Sequence, residues 1–202
     1  METCTSAAAD RNKQPILEEL RQLLPPRGRV LEIAAGTGQH AVHFAAALPG
    51  IRFLPTDPDA ASIGSIAARR LDSALPNLDE PRRLDVLDAD WQLDPEFDAV
   101  LCINMIHISP PETTPALFAG SRRVLRPAGP GLVVLYGPFR EGGVHTAPSN
   151  AEFDAYLKAR DPRWGVRDLG EVVDIAARSG FALRHQARLP ANNLLIAFDS
   201  RT

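Results

Sequence analysis

The stretch that most constrains this 202-residue chain is residues 29–59, RVLEIAAGTGQHAVHFAAALPGIRFLPTDPD. It opens with an apolar run, Val30-Leu31-Glu32-Ile33-Ala34, which reads as a buried parallel strand. A glycine turn follows, Ala35-Gly36-Thr37-Gly38. Residues 39–48 then carry Ala41, Val42, Phe44, Ala45 and Leu48 at helical spacing. A second strand over 51–54 leads to the acids Asp57 and Asp59. Strand, glycine turn, helix, strand and carboxylate, in that order, make one nucleotide-binding half of a doubly wound sheet.

Gly36 and Gly38 let the backbone turn tightly and let a ligand approach without meeting a Cβ. An acid about 20 residues further on suits a ribose diol, because a carboxylate accepts from both hydroxyls. Asp57 is the candidate, and its competing role is N-cap of the following helix. Two cofactor classes use this layout. A dinucleotide site reads G-x-G-x-x-G/A, which Gly36-Thr37-Gly38-Gln39-His40-Ala41 matches. A site for the methyl donor S-adenosylmethionine (SAM) carries an acid inside the first strand, as Glu32 does here. A carboxylate there suits an ammonium and would repel a pyrophosphate, so Glu32 favours SAM.

Composition narrows the partners. With 45% hydrophobic residues and a net charge of -3, the expectation is a tail over 1–10 and one soluble domain over 11–202. No block of positive charge attracts nucleic acid. No signal peptide and no apolar run near 20 residues is visible, so no membrane contact is expected. Cys4 and Cys102 do not look paired, which fits a reducing, cytoplasmic setting. No Cys/His cluster has zinc spacing, and no metal is expected.

The rest of the chain supplies further strands and helices. Arg11, Asn12 and Lys13 precede a helix over 16–24 and are placed to fold over a cofactor or to act as a solvated lead-in. A third strand over 83–86 ends near Asp85, an acid suited to an adenine amino group, with the Val86 amide free to meet a ring nitrogen. Trp91 close behind is placed either to stack or to pack, and packing is the commoner fate of a tryptophan. The strand over 97–103 runs into Asn104 and His107, at a strand's carboxyl end, where ligands bind in such sheets. A helix over 112–125 ends in Arg122, Arg123 and Arg126, which oppose its dipole. After a strand over 132–136, the loop 140–149 holds His145 and Thr146, followed by Asn150. Ser149 to Glu152 reads as a capping box for a helix over 151–160, and Asp168 caps a helix that stops at Gly180. Strands over 182–187 and 194–198 are joined too closely for a crossover, so the last is antiparallel. The predicted class is α/β: a Rossmann-like seven-stranded sheet, mostly parallel with an antiparallel last strand, and helices on both faces.

These strings together resemble a small family of class I SAM-dependent methyltransferases catalogued as a domain of unknown function. The resemblance rests on Arg11-Asn12-Lys13, Leu31-Glu32-Ile33-Ala34 with Gly36-Thr37-Gly38-Gln39-His40, Ile103-Asn104-Met105-Ile106-His107, and Leu135-Tyr136-Gly137-Pro138-Phe139. It continues through His145-Thr146, Ser149-Asn150, Trp164-Gly165 and Pro190-Ala191-Asn192-Asn193, with Pro130 and Pro148 as departures. It implies SAM as cofactor and carries no settled substrate. On this reading Glu32, Ala34, Gly36, Gly38, Asp57, Asp85, Val86 and Asn104 contact the cofactor, and Arg11 and Asn12 cover it. His107, Tyr136 and His145 orient or deprotonate a methyl acceptor, a small molecule or protein rather than a nucleic acid. A SAM-binding module without turnover and an NAD(P)-dependent oxidoreductase are the competing readings.

Overall fold

The fold is given by a computed structural model that describes residues 5–127, 129 and 131–201. Its main sheet has seven strands: β1 (Gly28–Ile33), β2 (Ile51–Asp57), β3 (Arg82–Arg83), β4 (Ala99–Ile103), β5 (Leu132–Gly137), β8 (Phe181–Leu189) and β9 (Asn193–Ser200). A two-stranded hairpin, β6 (Arg140–Glu141) and β7 (Val144–His145), hangs beyond the carboxyl end of β5. The helices are α1 (Ala7–Leu23), α2 (Gln39–Ala47), α3 (Ala60–Ser73), α4 (Thr113–Val124), α5 (Pro148–Arg160) and α6 (Leu169–Arg178). None is long and apolar enough to cross a membrane.

Strand order is β3-β2-β1-β4-β5-β9-β8. The first five are parallel, and β9 is antiparallel to both of its neighbours. The expected antiparallel last strand is therefore present. Order reverses between β1 and β4, so a crevice opens at their carboxyl ends.

Central strands are buried on both faces, which is why β4 and β5 are apolar without alternation. One face packs Leu31, Ile33, Val100 and Val133 against Leu117 and Phe118 of α4 and Val172 and Ala176 of α6. The other packs Val30, Leu101 and Val134 against Ile16, Leu17 and Leu20 of α1 and Phe44 of α2. Burying each of those α1 side chains contributes about 1.5–3 kcal/mol, which fastens the amino-terminal helix to the sheet.

Several boundaries differ from expectation for identifiable reasons. Helix α1 starts at Ala7 instead of 16, because Ser6 Oγ accepts the Ala9 amide at 3.3 Å and Pro15 is tolerated inside it. Arg11, Asn12 and Lys13 thus sit on a helix and not in a lead-in, and 7–10 are helical rather than part of a tail. Residues 1–4, including Cys4, lie outside the described residues, as does Pro130. Strand β3 is confined to Arg82–Arg83, leaving Asp85 and Val86 in the turn after it. Asp59, not Asp57, caps α3 by accepting the Ser62 amide at 2.8 Å. Helix α5 starts at Pro148, whose ring suits a first helical turn, and the expected Ser149 capping box does not form.

Candidate functional site

Strand β1 stops at Ile33, and the next five residues turn back into α2. Ala34, Gly36 and Gly38 all adopt positive φ, at 54°, 58° and 81°. A Cβ on Gly36 would meet no atom within 4 Å, so this turn leaves open space above it. One on Gly38 would lie 3.1 Å from Ile66 Cα, so this glycine also lets α3 pack close. Asp57, ending β2, accepts the Gly36 amide proton at 2.9 Å and the Asp59 amide at 3.0 Å. The acid is thereby tied to the turn.

Beside this turn lies a cavity of about 440 Å³, walled by Ile33, Ala34, Gly36, Asp57, Asp85 and Val86, with Met105 and Ile108 opposite. Asp85 Oδ1 accepts the Leu87 amide at 3.0 Å, which fixes its carboxylate at the cavity mouth. A larger cleft, about 550 Å³ among Arg122, Arg123, Arg126 and Arg201, lies at the opposite end of the sheet, away from the strands' carboxyl ends.

Glu32 is the unusual group. It is 1% exposed, and neither carboxyl oxygen has a hydrogen-bond partner. Burial, aided by the nearby Asp57 charge, pushes its pKa up to about 8. A buried carboxyl with both oxygens unsatisfied costs free energy unless something cationic meets it.

A second cluster is built from the carboxyl ends of β4 and β5. Asn104 takes a left-handed conformation (φ 63°), and its amide donates to the Tyr136 carbonyl at 2.7 Å. His107 follows on the short helical turn Met105–His107 and is fully buried, its ring edge-on to Phe139. Its Nδ1 accepts the Arg167 amide at 3.2 Å, so the ring proton resides on Nε2, which has no partner. Burial, reinforced by the Arg167 charge, holds the ring down to about 3. His107 is thus a neutral donor at physiological pH. A Cβ on Gly137 would lie 2.5 Å from His107 Nε2 and 3.2 Å from Asn104 Oδ1, so glycine is required where these two side chains meet.

Tyr136 is 2% exposed. Burial raises its hydroxyl pKa, against the side chains of Asn12 and Asn193 and the charge of Arg11, so it remains a phenol. Asn12 Oδ1 also meets His40 Nε2 at 2.7 Å; burial pushes that imidazole down to about 4, so it stays neutral and donates. Helix α1 is joined in this way to both α2 and β5. Trp91 packs as expected, filling the space left by Gly120, and donates to the Val86 carbonyl at 3.4 Å.

His145 lies on the β6–β7 hairpin, opposite Arg140. Its Nε2 is 3.4 Å from Asp154 Oδ2, and its Nδ1 is buried without a partner. Burial pushes the Asp154 carboxyl up, yet Lys158 at 2.6 Å, the Val166 amide at 2.7 Å and the nearby His145 together carry it below the ordinary range. Thr146 donates to the Phe139 carbonyl at 3.3 Å, and Asn150 donates to the Asn192 carbonyl at 3.0 Å. The first bond closes the base of the hairpin, and the second holds α5 against the β8–β9 turn.

The family described as "Protein of unknown function (DUF938)" matches residues 3–200. The chain belongs to that family. Its fold recurs in the apo form of the SAM-dependent methyltransferase SibL, at TM-score 0.79 and 16% identity, covering 97% of this chain and 56% of that one. It recurs in an O-methyltransferase family protein from Burkholderia thailandensis, at TM-score 0.80 and 12% identity over 96% and 58%. The pyocyanin biosynthetic protein PhzM is similar at TM-score 0.73 and 21% identity over 91% and 54%. The DUF938 chain spans little over half the length of each. Likeness at this identity shows the fold: the Rossmann-like sheet of class I SAM-dependent methyltransferases.

Of the cofactor residues expected in this DUF938 chain, Ala34, Gly36, Asp57, Asp85 and Val86 wall one cavity. Glu32 is buried in the strand leading into that turn. Asn104 and His107 meet at Gly137, whereas Arg11, Asn12 and Tyr136 form a separate group joined through α1. Asp154 and Arg167 join these groups although no sequence motif singles them out. Asp154 and Lys158 read in sequence as an ordinary exposed helix pair, and Arg167 as a loop cation. Arg167 instead ties Ile106 and Ser109 together through their carbonyls, at 2.9 and 2.6 Å.

Proposed function

We propose that this chain is a SAM-dependent methyltransferase acting on a small-molecule or protein acceptor. The observation that carries the reading is Glu32: a buried carboxyl without a partner, in the strand whose next residues, Ile33 and Ala34, wall a cavity together with two further acids. SAM supplies a methyl group on a sulfonium, which leaves by in-line displacement and needs chiefly alignment. Glu32 suits its ammonium, Asp57 its ribose, and Asp85 with the Val86 amide its adenine. Gly36 and Gly38 admit the ligand, Ala34 shapes the turn, and Asn104 lies toward the methyl group. Arg11 and Asn12, grouped with Tyr136 and not on the cavity wall, are assigned to cover the ligand from α1.

At the acceptor end His107 acts as an orienting donor, because its Nδ1 is already engaged and its Nε2 carries the proton. Tyr136 is likewise a donor. His145 keeps a free ring nitrogen and is the candidate to take a proton. That unpartnered nitrogen supports turnover over a binding module that only retains the cofactor. A dinucleotide site is disfavoured: the Gly36 amide that a diphosphate would use is taken by Asp57, and Glu32 adds a second carboxyl nearby. A cytoplasmic setting is proposed from Cys102, a free thiol whose burial pushes it up to about 12.

Titrating SAM, its demethylated product S-adenosylhomocysteine (SAH) and NAD into the protein tests this. Binding of SAM and SAH without NAD is expected. Binding of NAD alone overturns the proposal.

A further inference from the structure

Two buried nitrogens on the β6–β7 hairpin have no partner: Arg140 Nε and His145 Nδ1. The two residues pair directly across the hairpin, at the carboxyl end of β5, where an acceptor would lie. Arg140 offers a cationic donor. Its side chain makes no ion pair among the described residues, because the nearby carboxylates are committed elsewhere. Glu141 is bound by Arg188, Asp154 by Lys158, and Asp168 by the Gly143 and Gly170 amides. His145 turns its Nε2 edge toward Asp154, 3.4 Å away, which leaves a lone pair on Nδ1. A cationic donor beside a basic nitrogen is complementary to a ligand with an anionic oxygen next to a hydroxyl or amine.

We propose that Arg140 and His145 form the acceptor subsite, and that the acceptor is an acidic small molecule carrying a hydroxyl or amino nucleophile. This rests on the methyltransferase reading. Arg140 holds the acceptor's anionic oxygen. The nucleophile's proton passes to His145 Nδ1 as its lone pair forms the new bond to the methyl carbon. The carbon–sulfur pair returns to sulfur, giving a neutral thioether, and the imidazolium later sheds its proton to water. Asp154 is a positioning residue that orients the ring and favours the imidazolium. The groups packed around this pair are Asp154 and Lys158 of α5, and Arg167 and Asp168 of the loop before α6.

The test uses the whole protein with tritium-labelled SAM and a small-molecule cell extract split by anion exchange into acidic and non-acidic fractions. Label is expected in the acidic fraction. Arg140→Gln is expected to lower that labelling at least tenfold with SAH affinity unchanged. Asp154→Asn, which keeps an acceptor for the Val166 amide, is expected to move the acidic limb of the kcat profile to lower pH, a shift that a merely structural role would not produce. Label confined to the non-acidic fraction, no label in either while SAH binds, or full labelling by Arg140→Gln each overturns the proposal. Failure of SAH to bind overturns the methyltransferase reading instead.

Discussion

The Asp57 carboxylate accepts the Gly36 amide proton at 2.9 Å, so the acid that ends the second strand is fastened to the turn that leaves the first. This single bond converts two distant segments into one wall of the cavity. It also spends an amide that an incoming phosphate would otherwise take, and leaves the other carboxylate oxygen over the Asp59 amide.

Replacing Asp57 by Ala frees two backbone amides and removes the proposed ribose partner. SAH affinity is expected to fall at least tenfold, with a stability loss of about 1–3 kcal/mol. Calorimetric titration and urea unfolding read the two effects. Unchanged SAH affinity would remove Asp57 from the binding site.

Glu32 makes stability depend on pH. Its folded pKa, about 8, stands above the ordinary 4.5, so folding favours the protonated form. Its contribution is fully present below pH 4.5 and is lost as pH rises toward 8. Glu32→Gln cannot ionise and escapes that loss. The stability of Glu32→Gln relative to the natural protein is therefore expected to increase between pH 5 and 8 by several kcal/mol, at about 1.4 kcal/mol per pKa unit. Urea unfolding of both proteins across that range checks it. A gap that stays constant contradicts the buried, partnerless carboxyl.

Gly137→Ala puts a methyl group 2.5 Å from His107 Nε2, whose ring is held by the Arg167 amide. Overpacking of about 1–3 kcal/mol is expected. Methyl transfer is expected to drop at least tenfold while SAH still binds as in the natural protein. Equal loss of SAH binding would move this junction from the acceptor end to the cofactor end.

Asp154→Ala strands the buried Val166 amide and releases Lys158 and His145. The expected destabilisation is about 1–3 kcal/mol, read by thermal unfolding. Because the carboxyl sits below its ordinary range, its contribution holds at neutral pH and is lost as pH falls through the lowered value. The difference from the natural protein should accordingly shrink in acid. A difference that persists there would mean packing, not charge, is the main contribution.

Much of the fold was legible because it follows local rules. Apolar runs give β1, β4 and β5, the glycine turn gives the β1–α2 corner, and a three-residue link forces β9 antiparallel. What escaped depends on contacts between distant segments. Nothing near Pro15 says that Ala7 starts the helix; that follows from Ser6 and the packing of Ile16 and Leu20 on the sheet. Asp57 and Asp59 are chemically alike two residues apart, and only the approach of the Gly36 amide decides which one caps the helix. His107 reads from its residue type as either an orienting group or a base. The Arg167 amide, 60 positions later, turns it into a donor. The same holds for Asp154, whose Val166 and His145 partners come from a loop and a hairpin.

The central claim is that Glu32 waits, protonated and unpartnered, for the cationic end of SAM. Calorimetric titration of SAM at pH 7 in two buffers of different ionisation heat counts the protons exchanged. The account predicts release of about one proton on binding, and loss of that release together with weaker binding in Glu32→Gln. Binding with no proton released, or an identical count in Glu32→Gln, would contradict it.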